Sequence, residues 1–343
     1  MTREPRIGDC SNANSAEAAM AGRSGAVSVV VPVYNSATII PKLIDRLLAV
    51  LESSCAKFEV LLVNDGSQDE SWMAIRELVR GDPRLSGISL VRNFGQHNAT
   101  LAGIRMAEHE VIVTMDDDLQ QQPEDIPSLL ACLHQGYDVV YGTPRRDSHA
   151  WPRVFAARIV KKLIQGLMGI PTATDITSFR AFRRNLREGF KDYSGILVSI
   201  DALLSWSATR FASIPVDHLP RLEGGSNYTL GMLIRYTVNV VVGYGVLPMR
   251  LASLIGVLAA MLGFGSLVYV LVLYFARGAS VPGFTFLASI ISILAGAQLI
   301  AFGVLGEYVT RMHSRLMGRP CYVIQEQARN RCPNALEDAS EDQ

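Results

Sequence analysis

Five short apolar runs punctuate the first half of the chain: VSVVVPV at 27–33, FEVLLVN at 58–64, ISLVRN at 88–93, EVIVTM at 110–115 and DVVYG at 138–142. Each is rich in β-branched residues and shows little apolar–polar alternation, as expected of strands buried on both faces of a parallel sheet. Amphipathic stretches lie between them, at about 39–51, 70–79, 97–107 and 123–134, and these predict helices. A strand–helix succession of this kind predicts an α/β fold, doubly wound around a mostly parallel sheet. Ligands of such a sheet collect outside the carboxyl ends of its strands.

A different pattern takes over later. No charged residue occurs in 251–276 or in 284–306, and both stretches exceed the roughly 20 residues that a helix needs to cross a bilayer. They predict two transmembrane helices, at 251–276 and 284–308. Small residues in each (Gly256, Ala260, Gly263 and Gly265; Ala295, Gly296 and Ala297) suit close helix contact. Arg235 and Arg250 precede the first span, Arg311, Arg315 and Arg319 follow the second, and Arg277 lies between them. This distribution predicts an integral protein of the cytoplasmic membrane, with the folded domain and both termini on the cytoplasmic side. The segment 228–250, with aromatics and Arg235 among apolar residues, reads as interfacial amphipathic helices against the bilayer. The remaining divisions are a disordered leader at 1–25, a folded domain at 26–227, a cytoplasmic segment at 309–325 and a disordered acidic tail at 326–343.

Composition changes this picture little. With 343 residues, 49% of them apolar, the chain can hold one sizeable soluble domain and a membrane part. A formal net charge of zero gives no argument for nucleic acid as a partner. The five cysteines form no CxxC pair, so neither a zinc site nor a disulfide framework is expected.

The candidate chemistry lies at the predicted strand ends. Tyr34 and Asn35 follow the first strand, Asn64, Asp65 and Gly66 the second, Arg92 and Asn93 the third, and Asp116, Asp117 and Asp118 the fourth. No GxGxxG follows the first strand and no GxxxxGK[ST] occurs anywhere, which argues against a dinucleotide oxidoreductase and a P-loop enzyme. A nucleotide bound here needs another counter-charge for its phosphates, and a carboxylate cluster holding Mg²⁺ or Mn²⁺ can supply one. Strand alternation would put Asp116 and Asp118 on one side and Asp117 on the other, with Gln120 adding a neutral oxygen. The same triplet is also compatible with a solvated turn.

Taken together, VVVPVYN at 29–35, VNDGSQDES at 63–71, RNFGQHNATLAG at 92–103 and MDDDLQQQPEDIP at 115–127 resemble the GT-A glycosyltransferases of family 2. The resemblance is closer to the polyprenyl-phosphate branch, which holds dolichol-phosphate mannose synthase, the bactoprenol glucosyltransferases and the undecaprenyl-phosphate aminoarabinose transferases. It continues through SFRAFRR at 178–184, GGSNYTLGMLIRY at 224–236, the two apolar spans and LGEYVTRMHSRLMGRPCYVI at 305–324. It implies a GT-A fold followed by interfacial helices and two transmembrane helices. It also implies a nucleotide-sugar donor, a polyprenyl-phosphate acceptor and a homo-oligomer, with a tetramer favoured.

Residue by residue, the resemblance implies that Pro32, Tyr34, Asn35, Asp65 and Asn93 line the nucleotide-sugar pocket, with Asp116 and Asp117 beside them. Asp116, Asp118 and Gln120 fall on the family's metal and diphosphate positions. Asp117 stands where the family often has a small residue. Arg145 and Arg153, in the basic stretch GTPRRDSHAWPRVFAARIVKKL, fall where the family binds the acceptor phosphate, and Arg180 is a further candidate. Ser178 stands where the family often has an acidic residue or glycine, and Asp175 can supply the missing carboxylate. His97 reads as a helix-start residue and not as a base.

The expected activity is inverting, metal-dependent transfer of a sugar from a UDP-sugar to undecaprenyl phosphate. A processive polysaccharide synthase on the same catalytic fold is the rival enzyme, but its QxxRW signature is absent. A non-catalytic membrane scaffold that senses nucleotide sugars is the rival of another class.

Overall fold

The structure is a computed structural model, and it describes residues 6–9, 24–144, 177–195, 198–219, 247–277 and 283–330. The chain divides into two compact units, one of residues 1–228 with 320–343 and the other of residues 229–319.

The first unit is built on a nine-stranded sheet. Its strands are β1 (Arg6–Asp9), β2 (Ser24–Val33), β3 (Cys55–Asn64), β4 (Leu85–Leu90), β5 (Val111–Thr114), β6 (Val139–Pro144), β7 (Arg180–Arg183), β8 (Arg210–Val216) and β9 (Ile324–Arg329). Their order is β1-β8-β6-β7-β5-β2-β3-β4-β9. The neighbours β5, β2, β3 and β4 are parallel to one another. β7 runs antiparallel between β5 and β6, and β9 runs antiparallel along β4.

Helices α1 (Ile40–Ser54), α2 (Ser71–Gly81), α3 (Gln96–Met106), α4 (Ile126–His134) and α5 (Ile200–Ser207) cover both faces. Val29, Val31 and Val33 of β2 pack with Leu43, Leu47, Ile75 and Leu129 on one face. Val30, on the alternate position, packs with Leu101, Ile104 and Leu203 on the other. Both faces of β2 are therefore dry, which is why its sequence shows a continuous apolar run and not alternation. Arg187 donates to the carbonyls of Ile104, Arg105 and Ala107 at 2.9–3.1 Å and so satisfies the carbonyl end of α3.

Several expectations are corrected. Arg6–Asp9, placed in the leader by sequence, pairs with β8. Ile324–Arg329, mostly assigned to the tail, pairs with β4. The polar sequence IQEQAR suits an edge strand exposed on one face, which carries no apolar signal. Trp72 Nε1, on α2, donates to Glu326 of β9 at 3.0 Å. Cys55 and Cys321 are buried free thiols.

The second unit holds two long helices, α6 (Leu247–Arg277) and α7 (Gly283–Leu316). Their windows Ala252–Tyr269 and Ile293–Thr310 are long and apolar enough to cross a membrane and are 0% buried in the protein. Leu262, Phe264, Leu299 and Phe302 each expose more than two thirds of their surface. An apolar surface of this extent is costly in water and suits a bilayer. Most of the expected interfacial segment at 228–250 lies outside the described residues.

Candidate active site

The loops leaving β2, β3, β4 and β5 meet at the carboxyl edge of the sheet, and side chains of one loop satisfy the backbone of the next. Beyond β2, the amides of Tyr34, Asn35, Ser36 and Ala37 donate in turn to Asp117 Oδ2 (3.1 Å), Ser67 Oγ (3.0 Å), Ser71 Oγ (2.8 Å) and Asp69 Oδ2 (3.1 Å). Asn35 holds a left-handed backbone, φ 52°, and its side-chain oxygen accepts from the Gln68 amide at 2.9 Å. The Tyr34 ring is left 44% exposed, free to meet a ligand face on. Pro32, by contrast, is buried within β2 opposite Val63, so it supports this loop from beneath and does not line an open pocket.

Asp65 is also committed inward. Its two carboxylate oxygens accept from the amides of Phe94 (2.7 Å) and Gly95 (2.9 Å), and the residue is 3% exposed. Burial raises its pKa, and the two amides pull it back only in part. It therefore fixes the loop that carries the exposed Asn93 and the start of α3. Gly66, at φ 63°, is forced: a Cβ there would stand 2.3 Å from the Arg92 carbonyl carbon and 2.5 Å from the Asn93 nitrogen. Gly66→Ala is expected to lower unfolding free energy by at least about 2 kcal/mol, read from denaturant unfolding, because backbone cannot yield as a flexible side chain would.

The acidic run is not a strand. β5 ends at Thr114, and Leu119 takes a left-handed conformation, φ 57°, so the loop bends through Asp116, Asp117 and Asp118. Alternation is thus not what orients the carboxylates; their partners are. Asp116 Oδ2 accepts from Ser178 Oγ (2.5 Å) and Gln121 Nε2 (3.0 Å), and Oδ1 accepts from Gln96 Nε2. Gln121 Oε1 in turn accepts from the Asp116 amide at 2.8 Å. Asp117 turns the other way, to Tyr34 and to Ser36 Oγ (2.6 Å). Asp118 accepts from the Gln120 amide at 3.1 Å and its charge reaches His218, whose pKa burial lowers.

Burial, with repulsion from Asp118 and Asp117, lifts Asp116 from 3.8 to about 6, against the opposing pull of Ser178 and Arg180. Asp117 is raised as well, chiefly by burial. Among the described residues no three His, Cys, Asp or Glu side chains form a ready-made metal cage. Two neighbouring carboxylates whose charges repel nevertheless fit a hard divalent cation that takes its other oxygens from a diphosphate and water.

The sign of the pH dependence follows. A folded pKa above the unfolded value makes Asp116 stabilising below about pH 4, and that contribution is lost as pH rises through about 6. In chelator, Asp116→Asn is therefore expected to melt higher than the parent at pH 7.5 and no higher at pH 4, read by scanning fluorimetry. The exposed Gln96 amide can turn over to accept from the new Asn amide.

Arg180 is the clearest correction. It is 2% exposed, ion-paired to Asp201, and its Nε donates to Thr114 Oγ1 at 3.1 Å, with Tyr141 OH donating to the same Asp201 at 3.2 Å. A guanidinium enclosed in this way holds β7, β5 and α5 together and is not presented to an acceptor phosphate. His97, at the start of α3, has its pKa lowered by burial and lies within the field of Asp201 and Arg180. Arg145, Arg153 and Asp175 lie outside the described residues. Gln96, Gln121, Ser178 and Ser36 carry much of the site's hydrogen bonding, yet nothing in their residue type or spacing marks them out.

A family model described as glycosyl transferase family 2 matches residues 28–190. An undecaprenyl-phosphate 4-deoxy-4-formamido-L-arabinose transferase of Aeromonas hydrophila is 34% identical over 320 residues, 92% of this chain and 98% of that protein. The transferase of the same description from Enterobacter sp. is 37% identical over 304 residues, 87% of this chain and 92% of its own. Among solved structures, glucosyl-3-phosphoglycerate synthase from Mycobacterium tuberculosis aligns at 20% identity over 67% of this chain and 81% of its own, with a TM-score of 0.48, too distant to carry residue roles across.

Proposed function

The chain belongs to glycosyl transferase family 2 and is a glycosyltransferase, and from that premise we propose that it moves a sugar from a UDP-sugar to undecaprenyl phosphate at the cytoplasmic face of the membrane. The observation that carries this reading is the extent of the likeness. Relatives described as undecaprenyl-phosphate transferases match 92% and 87% of the chain, more than the sheet unit alone holds, so the likeness extends into the unit of the two apolar helices. A lipid acceptor requires the helices as much as the sheet.

The chemistry asks little of a base. A phosphate monoester is already anionic, so its oxygen attacks the anomeric carbon, the bond from that carbon to the diphosphate breaks, and the electron pair leaves with UDP. No proton has to be removed. Attack opposite the leaving group inverts the anomeric centre. Asp116 and Asp118, with Gln120 beside them, would hold Mg²⁺ or Mn²⁺. Such a cation neutralises charge on the departing diphosphate. The protein's own part is to position: Tyr34 and Asn35 meet the nucleoside, the loop fixed by Asp65 presents Asn93, and Gln96, Gln121 and Ser178 hold Asp116 still. Arg145 and Arg153 are proposed to take the acceptor phosphate.

The donor is tested by thermal shift of the detergent-solubilised chain with Mn²⁺ and UDP, GDP or dTDP. The expected result is a melting temperature that rises with the logarithm of UDP concentration above its dissociation constant. A rise with GDP or dTDP alone would overturn the uridine assignment.

A further inference from the structure

Asp117 stands in the middle of an acidic run that otherwise suggests cation binding, yet its carboxylate faces the neighbouring loop. Oδ2 accepts both from the Tyr34 amide (3.1 Å) and from Ser36 Oγ (2.6 Å). We propose that Asp117 is a positioning residue, whose carboxylate ties the turn at 34–36 to the acidic loop and so shapes the nucleotide pocket, and that it is not a ligand to cation or diphosphate.

Three observations converge on this assignment. The turn needs outside support, because Asn35 is left-handed at φ 52° and its amide is satisfied by Ser67, a residue of another loop. The amides at 35, 36 and 37 are held by the loop after β3 and the first residue of α2, whereas the amide at 34 is held by the loop after β5. Asp117 thus joins the two sides of the crevice. Ser36 is 7% exposed and donates its hydroxyl to the same oxygen, so two donors of the turn converge on one acceptor. Both donors converge on Oδ2, so a cation bound through that oxygen would break the tie to the turn.

The consequence is a coupling: whatever meets the diphosphate through the acidic loop also sets the position of Tyr34. The proposal rests on the reading that this turn contacts the donor nucleoside, and the test separates the two. The full chain in detergent is compared as parent, Asp117→Ala, Asp117→Asn, Ser36→Ala and the Ser36→Ala/Asp117→Ala double variant. The readouts are ligand-free amide hydrogen exchange at Tyr34, KM and kcat for UDP-sugar, and the half-saturating Mn²⁺ concentration.

Asp117→Ala is expected to speed exchange at Tyr34 by about tenfold or more and to raise donor KM by about tenfold. It should leave kcat and the Mn²⁺ requirement within about twofold, since an interaction equal in ground and transition states moves KM alone. Asp117→Asn keeps an oxygen for both donors and is expected to recover most of the loss. The double variant is expected to be no worse than Asp117→Ala, because both changes remove one shared bond.

A rise in the Mn²⁺ requirement with a collapse of kcat in both Asp117 variants, with exchange at Tyr34 unchanged, would make Asp117 a ligand and overturn the proposal. Faster exchange with unchanged donor KM would also overturn it, since the turn would then not shape the pocket. If the parent uses no UDP-sugar, the donor reading fails by itself; the tie to Tyr34 still stands or falls on the exchange of Asp117→Ala against Asp117→Asn.

Discussion

Asp118→Ala is expected to slow sugar transfer by about 10³-fold while leaving the melting temperature within about 2 °C of the parent. The size follows from what the residue has to do. On the proposed mechanism, departure of a diphosphate would concentrate negative charge beside Asp116 and Asp118, and a site that had lost one of two carboxylates would lose its hold on the neutralising cation. The small effect on stability follows from position: Asp118 is half-buried, and the hydrogen bond it takes from the Gln120 amide is local to its own loop. Asp116→Ala is expected to lose as much rate and also to loosen the loop, because Gln96, Gln121 and Ser178 all converge on that carboxylate. Turnover and melting measured on the same preparations check both. A non-catalytic scaffold would instead keep its cellular role with either alanine in place.

Asp201→Ala is expected to cost about 3–5 kcal/mol of unfolding free energy, the largest stability effect in the sheet unit. It strands the Arg180 guanidinium at 2% exposure and deprives the Tyr141 hydroxyl of its acceptor. Replacing both charges, as Arg180→Met with Asp201→Leu, is expected to be milder than either single change, because no unpaired charge remains. Denaturant unfolding of the four proteins measures the coupling. The opposite pattern, with Arg180→Met harmless to stability but raising the KM for lipid, would return Arg180 to the acceptor site.

Both predictions touch the boundary between what residue pattern reveals and what it conceals. β2, β3, β4 and β5 are legible because a strand covered by helices on both faces must be apolar throughout, and Val29, Val30 and Val31 satisfy both sides in turn. β7 and β9 are not, since RAFR and IQEQAR carry charge and side-chain amides that mask their period, and their partners lie far away in sequence. The site shows the same division. Polar residues at four strand ends mark the crevice, because an α/β sheet has one open edge for ligands. The role of each residue is less legible. Asp65, Asp117 and Arg180 are the residue types that bind nucleotides and phosphates, and each is also able to satisfy a buried loop. Which occurs depends on partners such as the Phe94 amide, Ser36 and Asp201, which no spacing rule identifies. Strand alternation separates Asp116 from Asp117 correctly but for the wrong reason, because the strand has ended and hydrogen bonds set the directions.

The central claim, that this chain joins a nucleotide-activated sugar to a polyprenyl phosphate, is tested most directly by following label. The purified full chain is incubated with undecaprenyl phosphate, Mn²⁺ and a panel of radiolabelled UDP-sugars, and the lipid fraction is extracted and counted. The account predicts that label from at least one UDP-sugar enters the lipid as a phosphodiester-linked sugar of inverted anomeric configuration, and that Asp118→Ala abolishes the transfer. Label that stays in the aqueous phase for every nucleotide sugar offered, with the parent chain folded and the lipid present, would contradict it.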